Sequence, residues 1–201
     1  MGRPEVTSHA AIEQAAFTLF RERGFDATTL EAIAAEVGVG RRTLFRYYRS
    51  KNDIPWGQFD RSLEAFREIF RATPPDLDLR AAIGRAIVEF NRFPDDASPS
   101  HEERMRLILE TPALQAHSAL RYAEWRRVIA EYAARRLGGS PDDVAPRLLG
   151  YVGLGVALAA YETWLADPEQ QLTAVIEASV GALRELDVHP PGRPDEESAR
   201  S

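Results

Sequence analysis

An all-α fold of about nine helices is what this sequence predicts. Apolar residues recur at i, i+3 and i+4 through nearly every segment, and no run alternates with the period of two that a strand requires. Segment starts carry serine, threonine or aspartate, placed three residues ahead of an acid or directly ahead of a proline, as helix N-termini do.

The elements follow in order. A first helix carries Ile12, Ala15, Ala16, Leu19 and Phe20 on one face and ends at Gly24, read as a left-handed cap with Phe25 making the apolar contact after it. Thr28-x-x-Glu31 reads as a capping box for a second helix with the stripe Leu30, Ile33, Ala34 and Val37, closed by Gly38. A third, short helix covers Arg41 to Arg49. Ser50-x-x-Asp53 caps a fourth, expected to reach Ala72 with a kink near Pro55. A helix from Asp76 to Phe93 precedes the loop PDDASPS. Ser100-x-x-Glu103 opens a helix over 101–110. Thr111-Pro112, Ser140-Pro141 and Asp167-Pro168 each set a capping residue before proline, predicting helices over 112–137, 141–166 and 168–187. Pro146 predicts a kink or a later start in the second of these. The organisation expected is a three-helix head over 1–52, a helical body over 53–188 and a flexible tail over 189–201 without large apolar residues.

Composition removes several classes of function. The chain has no cysteine, which excludes disulfide frameworks, thiolate zinc sites and cysteine nucleophiles, and no metal site or cofactor is expected. The N-terminus MGRPEVTSHAA lacks the apolar core of a secretory signal. The longest uncharged run, Leu148 to Tyr161, is 14 residues, short of the roughly 18–20 that span a bilayer. A cytoplasmic protein with no membrane partner is expected. Residues 1–55 carry 8 basic and 7 acidic side chains, and the remainder carries 17 and 24. The anionic bulk repels DNA while a local basic strip can still bind it, because screening confines the field to about 8 Å at physiological salt.

That strip is the third helix. With Lys51 it carries five cations and no acid. On a wheel at 100° per residue, Leu44, Tyr47 and Tyr48 cluster on one side and Arg42, Phe45, Arg46 and Arg49 on the other, with Arg41 and Thr43 flanking. A helix packed through Leu44 and Tyr48 therefore presents arginine and phenylalanine outward, ready for a DNA major groove. Arg41 and Arg42 sit at the end where base contacts fall, and an arginine there can donate to guanine O6 and N7. Thr43 suits a thymine methyl or a phosphate. Thr29 offers a hydroxyl and a free backbone N–H to a phosphate, and Lys51 joins an ammonium to the positive end of the fourth helix. Tyr47 is read two ways, as core packing or as a hydroxyl donated to phosphate. A merely solvated cationic face would need neither the helix–Gly-turn–helix spacing nor an exposed aromatic among arginines.

Residues 11–56 resemble the DNA-binding domain of the TetR family of transcriptional regulators, through LFRERGFDATT, IAAEVGV and GRRTLFRYYRSK. The family pattern commonly has tyrosine where this chain has Phe45, so that position lacks a hydroxyl for phosphate. Within the family, RRTLFRYYRSKNDIPWGQFD, with Asp53, Pro55-Trp56-Gly57 and Asp60, is similar to regulators associated with the mycofactocin system, whose C-terminal domains are linked to acyl-CoA-like ligands. The resemblance implies a homodimer formed through the last two long helices and a small-molecule effector bound in the body.

The body is read accordingly. In LLGYVGLGVALAAY, Gly150, Gly153, Gly155, Ala157, Ala159 and Ala160 permit close approach by another helix, either a partner's or one of this chain's own. Candidate cavity residues are Phe90, Phe93, Met105, Leu109, Tyr122 and Trp125, with Tyr151 and Leu154 on the facing helix; each also suits ordinary core packing. Arg104, Arg106, Arg121, Arg126 and Arg127 are available for an acyl-CoA's phosphates or for surface ion pairs. The leading expectation is a ligand-responsive dimeric repressor on a palindromic DNA operator. An activator, or a regulator without an effector, satisfies the same residues. A helical lipid-processing enzyme is the remaining class, and the scattered His9, His101, His117 and His189 with no HExxH or GxSxG motif argue against it.

Overall fold

A computed structural model of the chain describes residues 7–94 and 96–185; the expected tail over 189–201 lies outside them, as do residues 1–6. Among the described residues there are nine α-helices and no strand. They are α1 (His9–Arg23), α2 (Leu30–Val37), α3 (Arg41–Leu44), α4 (Phe59–Arg71), α5 (Leu79–Phe90), α6 (His101–Glu110), α7 (Pro112–Leu137), α8 (Val144–Ala166) and α9 (Leu172–Glu185), with a 3-10 helix, Lys51–Trp56, between α3 and α4.

Two apolar cores organise them. The first joins Ile12, Ala16, Phe17, Leu19 and Phe20 of α1 to Ile33 and Ala34 of α2 and to Leu44 and Tyr48. It also takes in Ile54 and Leu114, so the head's packing runs past residue 52 and into α7. The second core is the body, where Phe66 lies parallel to Trp125 at 5.0 Å and Phe70 to Tyr132 at 4.3 Å.

Several expected details are corrected. Gly24 has φ 81° and ψ 157°, a glycine-only extended conformation in place of the left-handed cap. The α2 cap is Thr29, whose hydroxyl accepts from Ala32 N at 3.1 Å. Thr28 is buried instead and donates its hydroxyl to the carbonyls of Leu19 and Gly24, so tertiary bonding moved the cap one residue on. The third helix is also shorter than expected: one α-turn is followed by tighter bonds from Arg46 N to Thr43 O and Tyr47 N to Leu44 O. The expected fourth helix divides at Gly57 (φ 57°, ψ −139°) into the 3-10 helix and α4. Asp78 caps α5, accepting from Arg80 N and Ala81 N, later than Asp76. Asp167-Pro168 enters a turn, and α9 begins at Leu172.

Pro146 delays α8 to Val144, leaving the proline in the first turn where its missing N–H breaks no helical bond. By length and composition alone α8 could cross a membrane, beyond what its uncharged run suggested; here it packs between α7 and α9. A Cβ on Gly150 would stand 2.8 Å from the Arg126 carbonyl, and one on Gly153 2.7 Å from Ile129 Cδ1. These two glycines therefore serve the close contact of α8 with α7. Val144, Leu148, Tyr151, Gly155 and Ala159 face outward along the opposite side of α8.

Candidate nucleic-acid interface and internal cavity

The basic segment sits on the head as the wheel predicts. Leu44 is fully buried and Tyr48 nearly so, while Arg41, Arg42, Phe45, Arg46 and Arg49 are exposed and Thr43 is half-buried. Arg42, Arg46 and Arg49 make no side-chain hydrogen bond or ion pair among the described residues. Arg41 is tethered more closely: its Nε lies 3.0 Å from Glu31 and its guanidinium 5.3 Å from the Phe45 ring centroid. Both contacts are at the surface, where ion pairs contribute little. Thr29 is exposed, but its hydroxyl oxygen already accepts the α2 cap bond.

Two expected phosphate contacts have other partners here. Lys51 Nζ donates to the carbonyls of Phe25 (2.6 Å), Thr28 (2.9 Å) and Asp26 (3.3 Å), which uses all three of its hydrogens. Burial lowers its pKa, with Asp26 opposing. Lys51 thus fastens the α1–α2 turn beneath the basic segment. Tyr47 donates its hydroxyl to Thr7 O at 2.7 Å, which supports the packing reading.

Below the head lies a cavity of about 540 Å³, within the range of small-molecule sites. Of the candidate residues, Phe90, Phe93, Met105, Tyr122, Trp125 and Leu154 line it. Leu109 does not, because it packs into the body core; Tyr151 does not, because it is 54% exposed on the outer face of α8 with Arg126 stacked 4.1 Å from its ring.

The wall also holds polar residues that no local pattern singled out. Tyr161 donates its one hydroxyl hydrogen to Asn91 Oδ1, and Asn91 Nδ2 donates to Ile87 O. The 2.9 Å contact between His101 Nε2 and Tyr161 Oη must therefore be donated by the imidazole, leaving Nδ1 as an acceptor. Burial, then the Arg104 charge, lowers the His101 pKa to about 3, so the ring is neutral near pH 7. Burial raises the Tyr161 hydroxyl well above its ordinary value. A second polar group stands where the cavity meets the head: Arg104 reaches Glu13 at 2.5 Å and the Pro55 carbonyl at 2.6 Å, and Glu13 accepts from Tyr48 at 2.5 Å. Arg104 was among the candidate cations of the sequence, and the hint to its partner was a carboxylate at Glu13 beside the core position Ile12. Gly57 leaves room for the pair, since a Cβ there would come within 3.4 Å of both side chains.

Of the cations considered for an acyl-CoA's phosphates, Arg106 is paired with Glu102 and Glu110, Arg121 with Asp53 and Glu124, and Arg127 with Asp142 and Glu131. Arg61 is exposed at the cavity's edge and has no such partner among the described residues. No group of metal-binding side chains occurs among the described residues.

The basic, exposed α3 segment closes a capped helix-turn-helix above the cavity, and known proteins resemble the chain in both parts. Residues 12–54 match the family of bacterial regulatory proteins, tetR family, and residues 77–186 match the MftR C-terminal domain. The chain belongs to the TetR family. This TetR-family chain is 42% identical, over 89% of its own length and 90% of the relative's, to the Mycobacterium tuberculosis protein that carries the name mycofactocin biosynthesis transcriptional regulator MftR. It is 31% identical to the transcriptional regulator TcmR of Streptomyces glaucescens, over 85% and 79% of the two chains. The fold is shared with Thermus thermophilus FadR, a TetR-family transcriptional repressor solved with lauroyl-CoA (TM-score 0.56, 23% identity, 94% and 99% covered). These relatives and families are transcriptional regulators, not enzymes.

Proposed function

We propose that this regulator is a ligand-responsive dimeric repressor that acts in the cytoplasm on a palindromic DNA operator. The observation that carries this reading is the exposed set Arg42, Arg46 and Arg49 around Phe45, without partners among the described residues and held on Leu44 and Tyr48. Arg41, Arg42 and Thr43 read base edges, Phe45 makes ring contact with sugar or methyl groups, and Arg46, Arg49 and the Thr29 backbone N–H hold phosphates. Lys51 and Tyr47 support this surface from beneath.

One helix-turn-helix makes too few contacts for tight site-specific binding, so two copies are needed, with half-sites about one DNA turn apart. The outward face of α8, from Val144 through Leu148, Tyr151, Gly155 and Ala159, supports a twofold dimer there. The effector carries a long apolar chain, as an acyl-CoA or a molecule like it does. The aromatic cavity supports this, as does the lauroyl-CoA held by the T. thermophilus protein of the same fold.

Selection of bound duplexes from a random-sequence library by the purified protein tests the first part. A palindrome with half-sites about 34–36 Å apart is expected, and recovery of no preferred sequence overturns the reading. Lauroyl-CoA added to that complex is expected to release the duplex. Effectors commonly shift affinity by about 5–150-fold.

A further inference from the structure

Among the described residues, Glu13–Arg104 is the one ion pair with both members in the cavity wall. It is also tied to the basic segment, because Tyr48, which closes that segment, donates its hydroxyl to the other oxygen of Glu13. Four elements thus converge on two side chains: α1 through Glu13, the end of the basic segment through Tyr48, the 3-10 helix through Pro55 O and α6 through Arg104. Both are mostly buried, with side-chain exposures of 12% for Glu13 and 19% for Arg104.

A guanidinium has five N–H donors. Among the described residues two of those on Arg104 are filled, by Glu13 Oε2 and Pro55 O. The guanidinium carbon lies 5.2 Å from the Phe17 ring centroid, and the group shares the cavity wall with Trp56 and Met105, neither of which offers a strong acceptor. In the same wall the Trp56 indole nitrogen is buried without a hydrogen-bond partner among the described residues, and Arg104 keeps N–H groups beyond its two bonds, so a ligand that brings an oxygen here is favoured.

We propose that Arg104 couples cavity occupancy to DNA binding: an acyl carbonyl oxygen accepts from Arg104, weakens its bond to Glu13 and so loosens Tyr48 and the basic segment above it. This rests on the effector-responsive reading given above. Arg104 and Glu13 are positioning residues, since neither touches DNA. An effector shifts an equilibrium only through contacts that differ between its two states, and here they are the Arg104–carbonyl bond gained with ligand and the Arg104–Glu13 bond stretched as the guanidinium is drawn toward it.

The test uses the full chain, its selected duplex and two probes: lauroyl-CoA, and S-dodecyl-CoA, which has the same chain and coenzyme but a thioether in place of the thioester carbonyl. Both are expected to raise the melting temperature, and only lauroyl-CoA to weaken duplex binding. Equal release by the two overturns the carbonyl contact. In Glu13→Gln and in Tyr48→Phe, which keeps the ring, the ratio of duplex Kd with and without lauroyl-CoA is expected to fall from the usual range of about 5–150 to below about 3. A role in stability alone would lower melting temperature and leave that ratio intact, and an intact ratio overturns the proposal. Should lauroyl-CoA not release the wild-type duplex, the acyl effector reading fails. The pair is then judged without ligand, where Tyr48→Phe is expected to weaken duplex binding about 3–10-fold, the range of one lost hydrogen bond, and unchanged binding overturns it.

Discussion

The Lys51 ammonium nitrogen lies 2.6 Å from the carbonyl oxygen of Phe25 and 4.3 Å from the centroid of the same residue's ring. With the Thr28 and Asp26 carbonyls as further acceptors, this lysine closes the turn between α1 and α2. Lys51→Met keeps the aliphatic stem and removes the charge-assisted bonds. It is expected to lower unfolding free energy by about 1–3 kcal/mol in chemical denaturation. An unchanged midpoint with a shallower salt dependence of DNA binding would mean that Lys51 anchors phosphate instead.

Gly150 and Gly155 lie on opposite sides of α8 and separate its two roles. Gly150→Ala sets a methyl against the Arg126 backbone, which cannot rotate away, and is expected to cost about 1–3 kcal/mol. Among the described residues Gly155→Ala meets no atom within 4 Å outside its own helix turn, so helix propensity alone should stabilise the subunit by up to about 1 kcal/mol. If α8 forms the dimer face, the same methyl weakens dimerisation, which sedimentation at several concentrations would detect. A Gly155→Ala dimer as tight as the wild type would move the interface off this part of α8.

Much of this fold is written locally. The limits of α6 and α7 follow from Ser100-x-x-Glu103, from Thr111-Pro112 and from the left-handed Gly138, each acting within a few residues. The basic segment's two faces were equally legible, because Leu44 and Tyr48 are one helical turn apart. Local signals failed where a distant partner decided the outcome. Thr28 left the cap for the Leu19 carbonyl, and Lys51 turned toward the carbonyls of residues 25–28. Tyr161 and Asn91 are 70 positions apart and Arg104 and Glu13 are 91 apart, so no window of sequence displays either contact.

The buried imidazole gives stability a defined pH dependence. Its folded pKa of about 3 lies below the ordinary 6.5, so the unfolded chain binds more protons between those values. The stabilisation is complete above the unfolded value and is lost as pH falls toward the folded one. Between pH 7 and pH 5 the loss is expected to be about 2 kcal/mol. Asp53 adds to this at lower pH: burial pushes its carboxyl up, but bonds from Ser50 and Arg121 and the charges of His117 and Arg121 outweigh that and hold it below its ordinary value. Denaturation of His101→Gln at the two pH values should show most of the 7-to-5 difference gone. An undiminished difference would place its source elsewhere.

Arginines along the exposed segment are expected to divide by role. Arg42→Ala should relax base preference at one position of each half-site, with about 1–3 kcal/mol less discrimination. Arg49→Ala, beyond the α-turn, should weaken selected and random duplexes alike. Identical behaviour of the two variants on both kinds of DNA would remove this division between reading and anchoring.

The central claim is that the exposed arginine segments of two subunits meet DNA at once, with Arg46 and Arg49 of each on phosphates. Affinity for the selected duplex measured from low to high salt tests it most directly. With Arg46 and Arg49 of each of two subunits on phosphate, log affinity is expected to fall against log salt with a slope of about −4. A slope near zero would contradict the account, because a groove-bound arginine surface cannot engage a duplex without displacing its counterions.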